Sequence, residues 1–359
     1  MKEREFSNIF IKPLYGIKTD LNNIDVSIYK EVIDLSDRFC MPHQILHNLK
    51  YDQGMNNSLI EALEEQIYVS NLKSLINQKE ILKISKLFNQ HEIDYVFMKG
   101  SAINTLGNGY VRYARDLDIL VSKNQLSESY QLLKEIGYRY HNKLVSDRSR
   151  FTKYSHHLPI LSNDDGSLVE IHHRVTAHAT YRDCPLTALM LNQYDVEIRN
   201  GVNIKISCLN HLIAHIIYHA VEQHKYDMGP VFLYDIKYLT EKLNDENNLK
   251  RLLQKMYLDE PYEVILGYIN EKKIADSFSI YDMSNEKELI KRKPKSFSYL
   301  LFTKKGRSNF YQIILRKFTK NEDLYQTSRY SIKFYIILLV EFKSYCMRLL
   351  KANGRDGRI

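Results

Sequence analysis

Cysteine is scarce and scattered. The chain has four, at Cys40, Cys184, Cys208 and Cys346, with no CxxC pair, so neither a zinc knuckle nor a disulfide framework is indicated. Long apolar runs are missing as well. The first residues, MKEREFSNIFIKPLYG, hold no hydrophobic segment of the secretory kind. The longest apolar stretch near the C-terminus, FYIILLVEF at 334–342, is far short of a bilayer span and is broken by Glu341. These absences predict a cytoplasmic protein without a transmembrane segment. Internal repeats and low-complexity tracts are also missing.

What is present is an ordinary globular composition. Across 359 residues, 44% are hydrophobic and 26% charged, enough to bury a sizeable core and to divide into more than one unit. The net charge of +8 makes the surface mildly basic. That suits anionic partners such as nucleotides, RNA or acidic lipid, and equally arises from solvated Lys-rich faces.

Periodicity divides the chain in three. Residues 1–90 read as helical, most clearly over 58–90, where Leu72, Leu75, Ile76, Ile84, Leu87 and Phe88 recur at three and four. YVFMK (95–99) then reads as a strand running into a Lys-Gly-Ser turn, and DLDILV (116–121) as a second strand. A helix over 124–137, stopped by Gly137, leads to a short third strand, YRYH. A hairpin follows, with arms 152–161 and 167–175 around Asn163–Gly166; Pro159 confines the first arm to an edge or a bulge. Helical periodicity resumes after about 205, with one amphipathic helix over 208–224, another over 231–243 and a last over 331–351. The expected organisation is α+β: a core at 91–205 with a small mixed sheet, between a helical region at 1–90 and a mainly helical domain at 206–359.

Aspartate is among the poorest strand formers, yet DLDILV carries two. Alternation puts Asp116, Asp118 and Leu120 on one face and Leu117, Ile119 and Val121 on the other. Two adjacent carboxylates repel unless a cation lies between them, and Mg²⁺ is commonly held by one or two carboxylates plus substrate phosphates. In SLVEIHHRV, Glu170 shares a face with Leu168 and His172. If that strand lies beside DLDILV, Glu170 completes a three-carboxylate metal cluster suited to in-line phosphoryl displacement. Upstream, Gly100 allows close backbone approach to a phosphate, and Ser101 offers a hydroxyl and an N–H at a helix start. Arg112 and Arg115 can meet phosphate oxygens bidentately, and Lys99 adds a point charge. Each has a plainer alternative. The aspartates could be solvated strand-start acids, Ser101 a helix cap, and Lys99, Arg112 and Arg115 surface charge.

Together these motifs resemble the nucleotidyltransferase superfamily with the polymerase-beta-like core. The finer pattern is similar to the uncharacterised nucleotidyltransferase family often labelled NTP transferase type 5. The matching residues are Lys99-Gly100, Arg112 four before the first acid, DLDILV, Gly137-Tyr138 and Glu170-Ile171-His172. His215, His219 and Asp235 look like the family's helical half.

The resemblance covers roughly 90–245. It implies Mg²⁺- or Mn²⁺-dependent transfer of a nucleoside monophosphate from an NTP, with pyrophosphate leaving. Asp116 and Asp118 are the implied metal ligands and Glu170 a third ligand or base, although many superfamily members carry Asp there. Gly100 and Ser101 are the implied triphosphate cradle; Lys99, Arg112 and Arg115 are candidate nucleotide contacts from their charge and placement, and His172 is a candidate substrate contact.

No acceptor follows from the resemblance. A small-molecule acceptor needs a pocket near His172, His215 and Tyr218. An RNA acceptor, as in nucleotidyltransferase toxins that modify tRNA, needs a basic track, for which KRKPK (291–295) is the available run. The small molecule is favoured, because no RNA-binding module is visible. A non-catalytic nucleotide-binding regulator on the same fold is the opposing class. Nucleotide-sugar glycosyltransferases also use Asp-x-Asp, but in them the Lys-Gly-Ser turn has no role. His211, His215 and His219 repeat at four without the acid of an HExxH zinc motif, and are expected to pack and make polar contacts to the core.

Overall fold

Helices dominate the N-terminal quarter: α1 (Glu3–Phe6), α2 (Tyr29–Phe39), α3 (Pro42–Asn48) and α4 (Ser58–Gln90). Two short strands, β1 (Thr19–Asp20) and β2 (Leu49–Lys50), pair in parallel among them. α4 contains no Gly or Pro over its whole length. The Asn57 side chain caps it by accepting from the Leu59 N–H at 2.9 Å. Its buried face differs from the expected one. Leu72 and Leu75 are exposed, while Asn77, Glu80 and Ser85 are buried beside Ile81, Ile84 and Phe88. The reason is a polar seam under the sheet, where Asn77 donates to the Ala114 carbonyl at 3.0 Å and Tyr138 donates to Glu80 at 2.7 Å.

The central elements follow in chain order. They are β3 (Tyr95–Phe97), α5 (Lys99–Leu106), β4 (Leu117–Val121), α6 (Leu126–Glu135) and β5 (Arg139–Tyr140). Then come β6 (Leu161–Ser162), β7 (Leu168–His172), α7 (Leu186–Asn192), β8 (Tyr194–Arg199) and β9 (Val202–Ser207). β3 to β9 form one seven-stranded mixed sheet in the order β5-β6-β7-β4-β3-β9-β8. β4 runs parallel to β7 and antiparallel to β3, while β3 runs parallel to β9. This is the expected α+β core.

Three local details depart from the sequence reading. Asp116 stands one residue before β4 rather than within it, and Lys-Gly-Ser is the first turn of α5 rather than a loop. The first hairpin arm is a strand only at Leu161–Ser162; upstream, His157 makes an isolated bridge to His172, with Pro159 in the gap. The β8–β9 hairpin was not expected. It turns at Asn200 and Gly201, both at positive φ (50° and 72°), as a two-residue hairpin turn requires.

The C-terminal helices are α8 (Leu209–Tyr218), which continues as a π-helical turn at His219–Gln223, then α9 (Val231–Thr240), α10 (Glu246–Lys255) and α11 (Asp259–Asn270). α8 is not amphipathic. Every residue from His211 to Tyr218 is buried, because α5, α7, α9 and α10 all pack around it.

The computed structural model describes residues 3–51, 57–107, 112–141, 156–176, 185–224 and 229–270, which fall within one compact unit. The expected helix at 331–351, the KRKPK run, Cys184, Cys346 and residues 152–155 of the hairpin lie outside them. No helix among the described residues is long and apolar enough to cross a membrane.

Candidate active site

The parallel register of β4 and β7 sets Asp118 directly beside Glu170, and Leu120 beside His172. Paired residues on neighbouring strands share a face, so Asp118 and Glu170 meet although 52 positions separate them. His172 follows on the same face by the two-residue period. Its Nε2 lies 2.9 Å from Asp118 Oδ1 and 3.0 Å from Glu170 Oε2. Ligand-capable atoms of Asp118, Glu170 and His172 all fall within 4.8 Å of one another.

α5 shapes the other side of this cluster. A Cβ on Gly100 would stand only 2.8 Å from the Ala114 side chain, so the helix start can approach the acid segment this closely only with glycine there. Ser101 is buried, and its hydroxyl accepts from the Asp118 N–H at 3.0 Å while reaching the Asp116 carbonyl at 3.5 Å. It therefore pins the backbone on both sides of Leu117 and does not cap its own helix. The helix start leaves the Gly100 and Ser101 N–H groups without intrahelical acceptors. Lys99 sits at φ +49°, a left-handed conformation that costs a residue with a Cβ about 1–2 kcal/mol. That geometry accompanies a salt bridge from its ammonium to Asp118 Oδ1 at 2.7 Å.

The electrostatics follow from burial and neighbours. Burial alone would raise Asp118, which is 3% exposed, but Lys99 and His172 outweigh it and hold the carboxyl well below its usual range. Glu170 is lowered too, with the hydrogen bond from His172 overcoming burial. His172 is raised: burial opposes its charge, and the two carboxylates more than restore it. Lys99 is raised despite burial by Asp118, Glu170 and Asp116. Among the described residues Asp116 makes no such ion pair. Burial and the Asp118 charge push it up to about 6.

The arginines are placed differently. Arg112 Nε contacts both Asp235 oxygens, at 3.0 and 3.1 Å, in a largely buried ion pair that ties the acid segment to α9. Arg115 faces outward and pairs with Asp37 of α2 at 3.0 Å. Neither points its guanidinium at the carboxylate cluster without competition from these acids. His215 and Tyr218 are buried in α8. Among the described residues, His211 and His219 join no group of three or more potential metal ligands.

Sequence reading missed His156 and His157. His157 Nδ1 stands 3.4 Å from Glu170 Oε1, and both rings pack against His172 with centroids 5.3 and 5.5 Å away. Burial lowers both pKa values, His156 further because His172 and His157 add positive charge nearby. A Pro-interrupted arm concealed the register that pairs His157 with His172.

No curated protein matches the chain. A crystal structure of ANT(2'')-Ia in complex with adenylyl-2''-tobramycin is similar at 15% identity, with 51% of this chain and 97% of that one covered and a TM-score of 0.36. The crystal structure of an antigenic nucleotidyltransferase-like protein from Paracoccidioides brasiliensis is similar at 16% identity, covering 55% and 91%, with a TM-score of 0.33. A family model described as uncharacterised nucleotidyltransferase matches residues 41–271, well over half the chain, and the protein belongs to that family of nucleotidyl-transferring enzymes.

Proposed function

We propose that the protein transfers a nucleoside monophosphate from an NTP to a small-molecule acceptor, using a divalent cation, Mg²⁺ or Mn²⁺, and releasing pyrophosphate. The observation that carries this reading is the register that puts Asp118 beside Glu170 at the edge of the α5 helix start. The residues present fit a cation. Two carboxylates and an imidazole converge within 4.8 Å, and Asp116 is close enough for its carboxyl to feel both acids. Asp116, Asp118 and Glu170 would hold the ion. When bound, it would supply charge neutralisation of the triphosphate and a template for in-line displacement.

The chain's own residues would do the rest. The Gly100 and Ser101 N–H groups and the α5 dipole attract phosphate oxygens, and the Lys99 ammonium exchanges Asp118 for the triphosphate. Arg115 can turn from Asp37 to phosphate at small cost, because an exposed pair is worth less than about 1 kcal/mol. Arg112 acts as an anchor for the acid segment through Asp235. The acceptor's nucleophile bonds to the α-phosphorus as the bond to the pyrophosphate oxygen breaks, and that oxygen keeps the electron pair. The acceptor's proton passes to a carboxylate; Glu170, the more exposed of the paired acids, is the better placed. Burial of the cluster favours a small acceptor over a folded RNA.

Labelled NTPs incubated with the protein and a metabolite extract should release pyrophosphate and label a small product. Asp116→Asn and Asp118→Asn should each lower the rate by about 10³-fold, equivalent to about 4 kcal/mol in the barrier. Full activity in both variants ends the proposal. Label entering total RNA instead, with steep salt dependence, replaces the acceptor class. Metal-dependent NTP binding without turnover makes the protein a regulator.

A further inference from the structure

One property of the acid cluster is not explained by a purely oxygen-lined magnesium site: the placement of His172. Asp116, Asp118 and Glu170 face the Lys99 ammonium, and Lys73 of α4 also acts on Asp116. Arg112 and Arg115 are engaged by Asp235 and Asp37.

His172 is only 1% exposed, and its Nε2 stands 2.9 and 3.0 Å from the two carboxylate oxygens. First-row divalent ions hold nitrogen and oxygen at about 2.0–2.2 Å, so two cis ligands of one ion stand about 3.0 Å apart. The observed separations match that edge. The Asp118 oxygen is shared with Lys99 at 2.7 Å, so the ammonium stands where a cation is needed until one arrives. In the metal-free protein Nε2 carries the proton that it donates to the two carboxylates, and an ion bound there would take that proton's place; the buried Nδ1 has no hydrogen-bond partner among the described residues.

We propose that His172 is a nitrogen ligand that joins the carboxylates at Asp118 and Glu170, with Asp116 beside them, in a mixed site for a first-row transition ion that takes Mn²⁺ in preference to Mg²⁺. The preference is chemical. Imidazole nitrogen binds transition ions well, whereas Mg²⁺ selects oxygen and gives up water reluctantly. This rests on the metal-dependent reading above and specifies which ion that site is built for.

The test uses the untagged, metal-stripped full chain and Mn²⁺ as the probe. Electron paramagnetic resonance follows free Mn²⁺, and its pulsed form detects a nitrogen bonded to the bound ion. The expected result is one Mn²⁺ with nitrogen coupling, displaced by Mg²⁺ only at about tenfold or greater excess. His172→Gln should lose the coupling and the preference and bind Mn²⁺ about 10–100-fold more weakly; His172→Phe, which keeps ring volume, serves if the glutamine variant does not fold. His215→Gln should keep the coupling. Bound Mn²⁺ without nitrogen coupling, coupling that survives loss of His172, equal Mg²⁺ affinity, or no Mn²⁺ binding at all each overturns the proposal. Failure here together with Mg²⁺-driven pyrophosphate release leaves the reaction standing. Nitrogen-coupled Mn²⁺ without turnover leaves this site standing and removes the reaction.

Discussion

Two histidines, one on strand β7 and one on helix α8, meet the same burial with opposite outcomes. His172 and His215 are each 1% exposed. Desolvation opposes the charged form of both. His172 lies against Asp118 and Glu170 and is raised above its ordinary value. His215 faces the positive charges of Lys99 and His172, with Asp118 a weaker opposing influence and Val175 supplying a backbone contact, and is pushed down to about 3. The sign of the neighbours decides what burial does. The strand pair is built to keep charges in a poorly solvated place, and the helix beside it to stay neutral.

The sharpest way to break that contrast is to remove the compensating ammonium. Lys99→Met leaves three carboxylates facing each other, and severing a buried pair costs about 3–5 kcal/mol. Urea unfolding of the metal-free protein should register that loss, and added Mn²⁺ should recover part of it. Stability equal to wild type would mean that water already solvates the acids and that the cluster is not a charge-compensated site.

A smaller effect sharpens the helical side. The folded His215 stays neutral down to about 3, while the unfolded chain takes up a proton near 6.5. Stability therefore falls as pH drops from about 6.5 to 3, with a slope of up to about 1.4 kcal/mol per pH unit from this group. His215→Leu should flatten that limb in an unfolding series across the same range. An unaltered slope would show that His215 reaches solvent or a partner in the folded protein.

The smallest effect is at the surface, where neither rule applies strongly. Arg115 and Asp37 are both substantially exposed, so Arg115→Met should shift stability by less than about 1 kcal/mol. Thermal unfolding would detect more. A loss of several kcal/mol would mark the pair as structural and remove Arg115 as a phosphate contact.

Legibility in the sequence followed the range of the interaction. Alternation sufficed to put Glu170 and His172 on one face, and the Asp-x-Asp run pointed to β4. The β8–β9 hairpin carries an equally local signal, Asn200-Gly201 between alternating residues. α4 was misread for a different reason. Periodicity assigns apolar residues to the core, but Asn77 and Glu80 are buried because Ala114 and Tyr138 supply their hydrogen bonds. Nothing local in the helix announces those partners.

Local pattern was enough to mark the chemistry available: an Asp-x-Asp run, a Lys-Gly-Ser segment before it, and a histidine two residues after an acid. The tertiary structure alone decided which of them meet. Arg112 looked like a phosphate contact from its spacing to Asp116, and 123 residues further on Asp235 claims it. Asp118, Glu170 and His172 converge because β4 and β7 pair in parallel and in one register. A one-residue slip would send Glu170 and His172 to the opposite face, so the site exists only through a long-range pairing that no local pattern encodes.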